Sequence, residues 1–409
     1  MLLRMFGVVL VSSLLLSCGG GGGGSANSGG SSTTGGTTTG SGTTGSNGTS
    51  SGPVCTAGFM GSSKLMVGAQ MADATAAAAP FDARYLYLAG GIRPAGTCAS
   101  SCSSSCNNWW GCWQDQSLPP GQYALWHMKN AASASWQSAA HPQVPVFTYY
   151  EILNSSGAGE GAGKVAAIDD AALLTRYLDD WRFLLQTIGN SRAMLHVEPD
   201  FWGFVRQVNS DPHQVSAAVK AANATDCAAQ ENSATGLARC MIAMVRKYAP
   251  NATVGLHASP WNYTVAGDGA ATGAYMLALG AADGDFVVTD PSDRDAVYYT
   301  SIGQNRWWTD TTAAAYLAWS KTVSDTVGKP TAMWQIPLGN MAQNNTTNHW
   351  QDNRVDYLFA HLTDVAKSGI VALLFGAGET QQTSPETDGS NLIRQTTTNW
   401  QAGGTALCQ

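Results

Sequence analysis

Charge is what this sequence has least of. Asp, Glu, Lys and Arg make up only 12% of its 409 residues, and 21 scattered Lys and Arg stand against 28 acids, for a net charge of −7. A polyphosphate partner needs a basic stripe, so nucleic acid is not expected as a partner. Long apolar runs are missing too. The stretch from Met5 to Leu16 is far shorter than the roughly 20 residues a spanning helix needs. From residue 53 onward there is no G-x-S-x-G, H-E-x-x-H and H-x-H occur nowhere, and no G-x-G-x-x-G follows an early strand. These absences argue against a serine-hydrolase elbow, the familiar metallo-barrel signatures and a dinucleotide site. No cofactor or metal is expected. With 44% hydrophobic residues the chain can nevertheless bury a large core.

The N-terminus has the plan of an export signal: Arg4, an apolar stretch, then Leu15-Leu16-Ser17-Cys18. It resembles a bacterial lipoprotein signal with its lipobox. The resemblance implies cleavage after residue 17, acylation of Cys18, and a lipid tether to a membrane. Gly19 rather than Asp after the cysteine implies the outer membrane or cell surface. An ordinary signal peptide or a short anchor is the plainer alternative. Residues 18–52 carry this cysteine and then little but Gly, Ser, Thr and Asn, a composition that makes a flexible linker and no core. Eight other cysteines remain in an exported chain, which reads as disulfides. Cys227 with Cys240, Cys55 with Cys408, and two bridges among Cys98, Cys102, Cys106 and Cys112 are the expected pairs, the connectivity of the last four being open.

From residue 53 to 409, short runs of β-branched and aromatic residues recur, most followed by a helical pattern. Eight are expected: 65–70, 83–91, 144–153, 192–200, 253–261, 285–293, 331–339 and 370–379. The clearest helices fall at 169–188, 235–248, 311–327 and 352–367. Eight β-then-α units imply an α/β fold, a single (β/α)8 barrel of the TIM type with long disulfide-bearing loops. A doubly wound open sheet is the rival, and a monomer is expected.

In such a barrel the strand C-terminal ends form the site. Alternation along Arg192 to Asp200 turns Met194, His196 and Glu198 one way and Leu195 and Val197 the other. With the apolar pair against the helices, His196 and Glu198 face the mouth, and His257 and Ser259 do the same one strand on. Glu151, Asp200, Asp290, Asp293 and Glu379 complete the strand-end acids. Burying several carboxylates is costly, so this grouping is the main functional signal, although each acid alone could be a cap or an ion-pair partner. Two facing carboxyls, one protonated and one ionised, are what glycosidic cleavage requires. Tryptophans suit sugar rings, and Trp109, Trp110, Trp113, Trp202, Trp261, Trp307, Trp308 and Trp334 fall at or after strand ends.

Val197-Glu198-Pro199-Asp200 resembles the E-P-D strand end of family 6 cellulases, and Glu198-Pro199 resembles the acid/base position of the large (β/α)8 glycoside hydrolase clan. That clan places Asn before the Glu and a nucleophilic Glu on strand seven, where this chain has Val197 and Gln335. The resemblance implies a glycoside hydrolase without fixing a family. On this reading Glu198 is the general acid and Asp290 or Glu379 the second carboxylate. His196, Asp200, Trp202, His257, Trp261, Trp334, Gln335 and Glu151 bind a carbohydrate substrate. Two alternatives stay open: a surface lipoprotein that captures glycans without cleaving them, and a metal-dependent hydrolase using His196, Glu198, His257 and Asp290.

Overall fold

The structure, a computed structural model, describes residues 58–407 apart from 93–97, 99, 104–105, 107–108, 113–118, 158 and 160. The export signal, the linker, Trp113 and the Cys55–Cys408 pair lie outside the described residues.

Eight parallel strands form a closed barrel: β1 (Met66–Ala69), β2 (Ala83–Leu88), β3 (Val144–Tyr149), β4 (Ala193–Val197), β5 (Ala252–His257), β6 (Phe286–Thr289), β7 (Thr331–Ile336) and β8 (Ile370–Phe375). Each pairs with its sequence neighbours, and β1 closes the ring by pairing with both β2 and β8, with Gly68 opposite Ala83 and Met66 opposite Ala372. Gly68 is required there, because a Cβ on it would stand 2.4 Å from the Ala83 carbonyl oxygen. The expected barrel is therefore the observed fold. The expected strands overran their C-termini because their last residues turn out of the ladder to build the mouth.

The helices follow the sequence pattern closely. Ala171–Ile188 is capped by Asp170, whose carboxylate accepts from the Ala172 and Leu173 amides at 2.9 and 3.1 Å. Its apolar stripe, which includes Leu174, Leu178, Trp181 and Leu185, is buried against the barrel. Ala234–Tyr248 and Asp310–Val327 match their expected spans within a residue. The expected helix 352–367 is two, Arg354–Ala360 and Leu362–Lys367, broken at His361. The first crossover holds only the four-residue helix Asp73–Ala76.

Strand alternation divides the core. Outward residues such as Phe147, Leu195, Val254, Leu256 and Val287 pack with the helices, whereas Tyr85, Val146, Met194, Phe286, Val288 and Trp334 fill the interior. Each fully buried aliphatic side chain stabilises the fold by roughly 1.5–3 kcal/mol. Disulfides join Cys227 to Cys240, as expected, and resolve the open cluster as Cys98–Cys106 and Cys102–Cys112. No helix among the described residues is long and apolar enough to cross a membrane.

Candidate active site

The inward alternation that fills the barrel with apolar groups changes character in its last layer. Tyr87 from β2, Thr148 from β3, His196 from β4, His257 from β5 and Trp334 from β7 occupy it. Asp290 follows immediately after β6. Thr148 Oγ1 lies 3.4 Å from His196 Nδ1, His196 Nε2 lies 3.0 Å from His257 Nδ1, and His257 Nε2 lies 3.1 Å from Asp290 Oδ1. The result is one hydrogen-bonded line from the barrel interior to a carboxylate at the mouth. One proton arrangement satisfies every contact with a carboxylate at the end of the line: the Thr148 hydroxyl donates to His196 Nδ1, His196 Nε2 donates to His257 Nδ1, and His257 Nε2 donates to Asp290. Burial, with the neighbouring His257 adding to it, holds the His196 pKa well below its ordinary value, so that ring is neutral. The Trp334 ring stands edge-on to both imidazoles, with centroids 4.7 Å from His196 and 5.9 Å from His257, and walls the line off on that side.

A second carboxylate meets the same imidazole. Asp200 Oδ1 is 3.7 Å from His257 Nε2 and accepts from Ser259 Oγ at 3.1 Å. Side-chain exposures of 34% for Asp200 and 16% for Asp290, against 0% for His257, leave both acids open to solvent above a buried ring. One oxygen of each acid and one His257 nitrogen all lie within 4.8 Å of one another, a spacing that one divalent cation can also bridge.

Backbone strain marks the same place. Glu198, Asp200 and Gln335 have φ of 50°, 61° and 55°, a left-handed conformation that costs non-glycine residues roughly 1–3 kcal/mol each. At Glu198 this turn ends the strand alternation, and that is why the glutamate does not face the mouth as expected. It is completely buried on the helix side, where Oε1 accepts from the Glu151 and Ile152 amides at 3.0 and 3.2 Å and from the Tyr177 hydroxyl at 3.0 Å. Burial raises its pKa to about 7 in spite of those donors and the Lys164 charge. Glu151 is equally buried and accepts from the Gly91 amide at 2.7 Å. Burial, then the nearby charges of Asp180 and Glu198, push its pKa well above the ordinary carboxylate range. These two acids are brought to each other, and none of their hydrogen bonds reaches Asp290.

The opposite rim is assembled from β7 and β8. Gln335 Nε2 donates to the Tyr87 hydroxyl at 2.9 Å. Gly378 crosses so closely over Gln335 that a Cβ there would stand 2.5 Å from Nε2 and 2.5 Å from the Asp293 carbonyl oxygen. Glu379 is therefore carried to the rim, where Arg294 bridges it at 3.2 Å and also pairs with Asp293. Asp293 accepts from the Tyr299 hydroxyl. Glu379 thus lies in a rim ion-pair network and makes no bond to Asp290 or Asp200.

The tryptophans divide sharply. Trp109 and Trp110 are buried in the helix layer with both indole nitrogens on Asp180, Trp308 is buried beside Tyr316, and Trp202 is buried with its nitrogen on the Val197 carbonyl. Trp261, 42% exposed, presents a face to solvent at the end of β5, and Trp307 is half-buried. Tyr87 and Thr148 escaped the sequence reading, which followed acids and tryptophans; the same period-two alternation applied to β2 and β3 turns both inward.

No family model matches the chain, and no curated protein matches it. Solved structures with similar folds include several glycoside hydrolases. A modular endo-β-1,4-mannanase of glycoside hydrolase family 26 from Cellulomonas fimi shares 14% identity over 82% of this chain and 70% of its own, with a TM-score of 0.46. The family 26 enzyme GH26C from Muricauda sp. shares 9% over 82% and 84%, with a TM-score of 0.48. A Bacteroidetes-affiliated family 5 cellulase shares 11% over 83% and 92%, with a TM-score of 0.47. At these identities the likeness extends to the barrel alone.

Proposed function

We propose that this protein hydrolyses glycosidic bonds of a polysaccharide or oligosaccharide at the barrel mouth, with Asp200 and Asp290 as the working carboxylates. The observation that carries this reading is the pair's convergence on the buried His257, with an oxygen of each inside 4.8 Å of the other. Asp290, which lies within hydrogen-bond reach of the imidazole, serves as nucleophile at the anomeric carbon. Asp200, beyond that reach from the ring and more exposed, delivers a proton to the leaving oxygen and later takes one from water. We assign the pair retaining chemistry, with Asp290 as nucleophile and Asp200 as acid and then base. Tyr87, which burial keeps protonated, is placed to bond a sugar hydroxyl. The lipobox-like Leu15 to Cys18 and the linker to residue 52 support an exported enzyme tethered by lipid at the bacterial cell envelope.

The test is reducing-sugar release by the full chain on a panel of plant, fungal and bacterial polysaccharides, with the anomeric form of the first product read by NMR. Release with retained configuration supports the reading. Binding to one polymer without turnover would replace it with glycan capture. A second reading, metal-assisted hydrolysis, is favoured by the same three donor atoms; activity abolished by a chelator and restored by a divalent cation would establish it instead.

A further inference from the structure

A cavity of about 210 Å³ opens beside the end of β5, between the helices Phe201–Val208 and Asp268–Leu279. His257 and Ser259 line it, so it shares a wall with the site: Ser259 is the residue whose hydroxyl bonds Asp200. Its volume is below the roughly 300–1,000 Å³ of pockets for drug-sized ligands, which suits one ring rather than an extended chain.

The lining has the chemistry of a sugar subsite. Trp261 is the exposed indole noted above, and Phe204 backs it at a centroid distance of 5.0 Å. Gly203 permits this closure, since a Cβ there would stand 2.8 Å from both the Trp261 ring and Ser259 Oγ. The Tyr275 side chain is 5% exposed, and its hydroxyl is buried with no hydrogen-bond partner. An unsatisfied buried hydroxyl costs about 1–3 kcal/mol, a cost that a ligand hydroxyl accepting from it removes. Arg206 lines the same cavity, donates to Thr272 Oγ1 at 2.7 Å and pairs with Asp268 at 3.3 Å. The Trp319 indole also donates to Asp268 at 2.9 Å. The Arg206 charge is therefore balanced within the wall, and the cavity offers hydrogen-bond donors without net charge.

We infer that this cavity is a binding subsite for a single neutral pyranose unit of the glycan, stacked on Trp261 and hydrogen-bonded by Tyr275 and Arg206, next to the Asp200–His257–Asp290 centre. The inference rests on the glycan reading of that centre but is tested by binding, which needs no turnover. An anionic sugar is disfavoured because Asp268 already takes the one cation in the wall.

The experiment is tryptophan-fluorescence titration of the full chain with methyl glycosides of glucose, mannose, galactose and xylose, and with glucuronic acid as the charged control. At least one neutral glycoside should bind to wild type, with glucuronic acid weaker. Trp261→Ala and the conservative Tyr275→Phe should each weaken it at least fivefold, saturation-transfer NMR reporting binding where the Trp261 signal is lost. No binding of any neutral glycoside, or binding indifferent to both pocket variants, overturns the inference. Pocket-dependent binding by a protein that cleaves no polysaccharide leaves the subsite standing and removes the hydrolase reading instead.

Discussion

Two pairs of acids sit at the strand ends, Glu198 of one only two residues from Asp200 of the other, and the barrel treats them oppositely. Asp200 and Asp290 are open to the mouth and share a buried imidazole. Glu151 and Glu198 are fully buried among Tyr177, backbone amides and the helix layer. The two pairs differ in side-chain length, aspartates at the mouth and glutamates beneath it, and in the partners that the fold brings to each carboxylate. Glu198 and Asp200 both have left-handed φ, yet Glu198 meets the amides that follow β3 and the Tyr177 hydroxyl, whereas Asp200 meets His257 and Ser259. Exposed acids over a hydrogen-bonded imidazole can exchange protons with a substrate. Buried ones instead register as a pH-dependent strain on the fold.

The largest expected effect that sharpens this contrast comes from Asp200→Asn. Loss of a positioned proton donor costs roughly 10²–10⁴-fold in rate, so turnover should fall by that order while the urea midpoint stays near wild type. Next comes Glu198→Gln. The native state holds this proton up to about pH 7, whereas the unfolded carboxyl releases it near the ordinary value of 4.5. Between those values the folded state binds more protons, so wild-type stability falls as pH rises from about 5 to about 7, by an amount on the order of 3 kcal/mol. The amide carries no charge and should flatten that slope; urea unfolding at pH 5 and pH 8 measures it. An unchanged slope would assign the pH dependence to other groups, such as Asp295, which burial and Asp352 raise to about 7.

A smaller effect probes the rim itself. A Cβ on Gly376 would stand 1.9 Å from the Tyr85 hydroxyl, so Gly376→Ala should cost about 1–3 kcal/mol by overpacking, seen as a lowered Tm. The smallest is expected from Glu379→Gln. Its ion pair with Arg294 is partly exposed, with side-chain exposures of 45% and 26%, and such pairs contribute about 0–1 kcal/mol. Turnover should change less than tenfold, and a loss as large as that of Asp200→Asn would move the second carboxylate to this rim.

Period-two alternation made much of this legible beforehand. It placed His196 and His257 inside and Leu195, Val254 and Leu256 outside, and the spacing of eight β-then-α units implied the closed barrel. It failed where the chain leaves the ladder. Nothing in Val197-Glu198-Pro199-Asp200 announces a left-handed glutamate, because that conformation is imposed by the amides of residues 151 and 152 and by Tyr177, which only the fold brings near. Tryptophan count misled for a related reason: Trp109 and Trp110 follow a strand in sequence yet meet Asp180, about 70 residues away, in the helix layer. The Trp261 and Tyr275 pocket lies between two helices whose juxtaposition no local pattern encodes.

The central claim is that the working carboxylates are the mouth-facing pair and not the buried one. Its most direct test compares reducing-sugar release by wild type, Asp290→Asn and Glu198→Gln on the same polysaccharide. Release that survives in Glu198→Gln and collapses in Asp290→Asn is the predicted result, and collapse in Glu198→Gln with Asp290→Asn still active would contradict it.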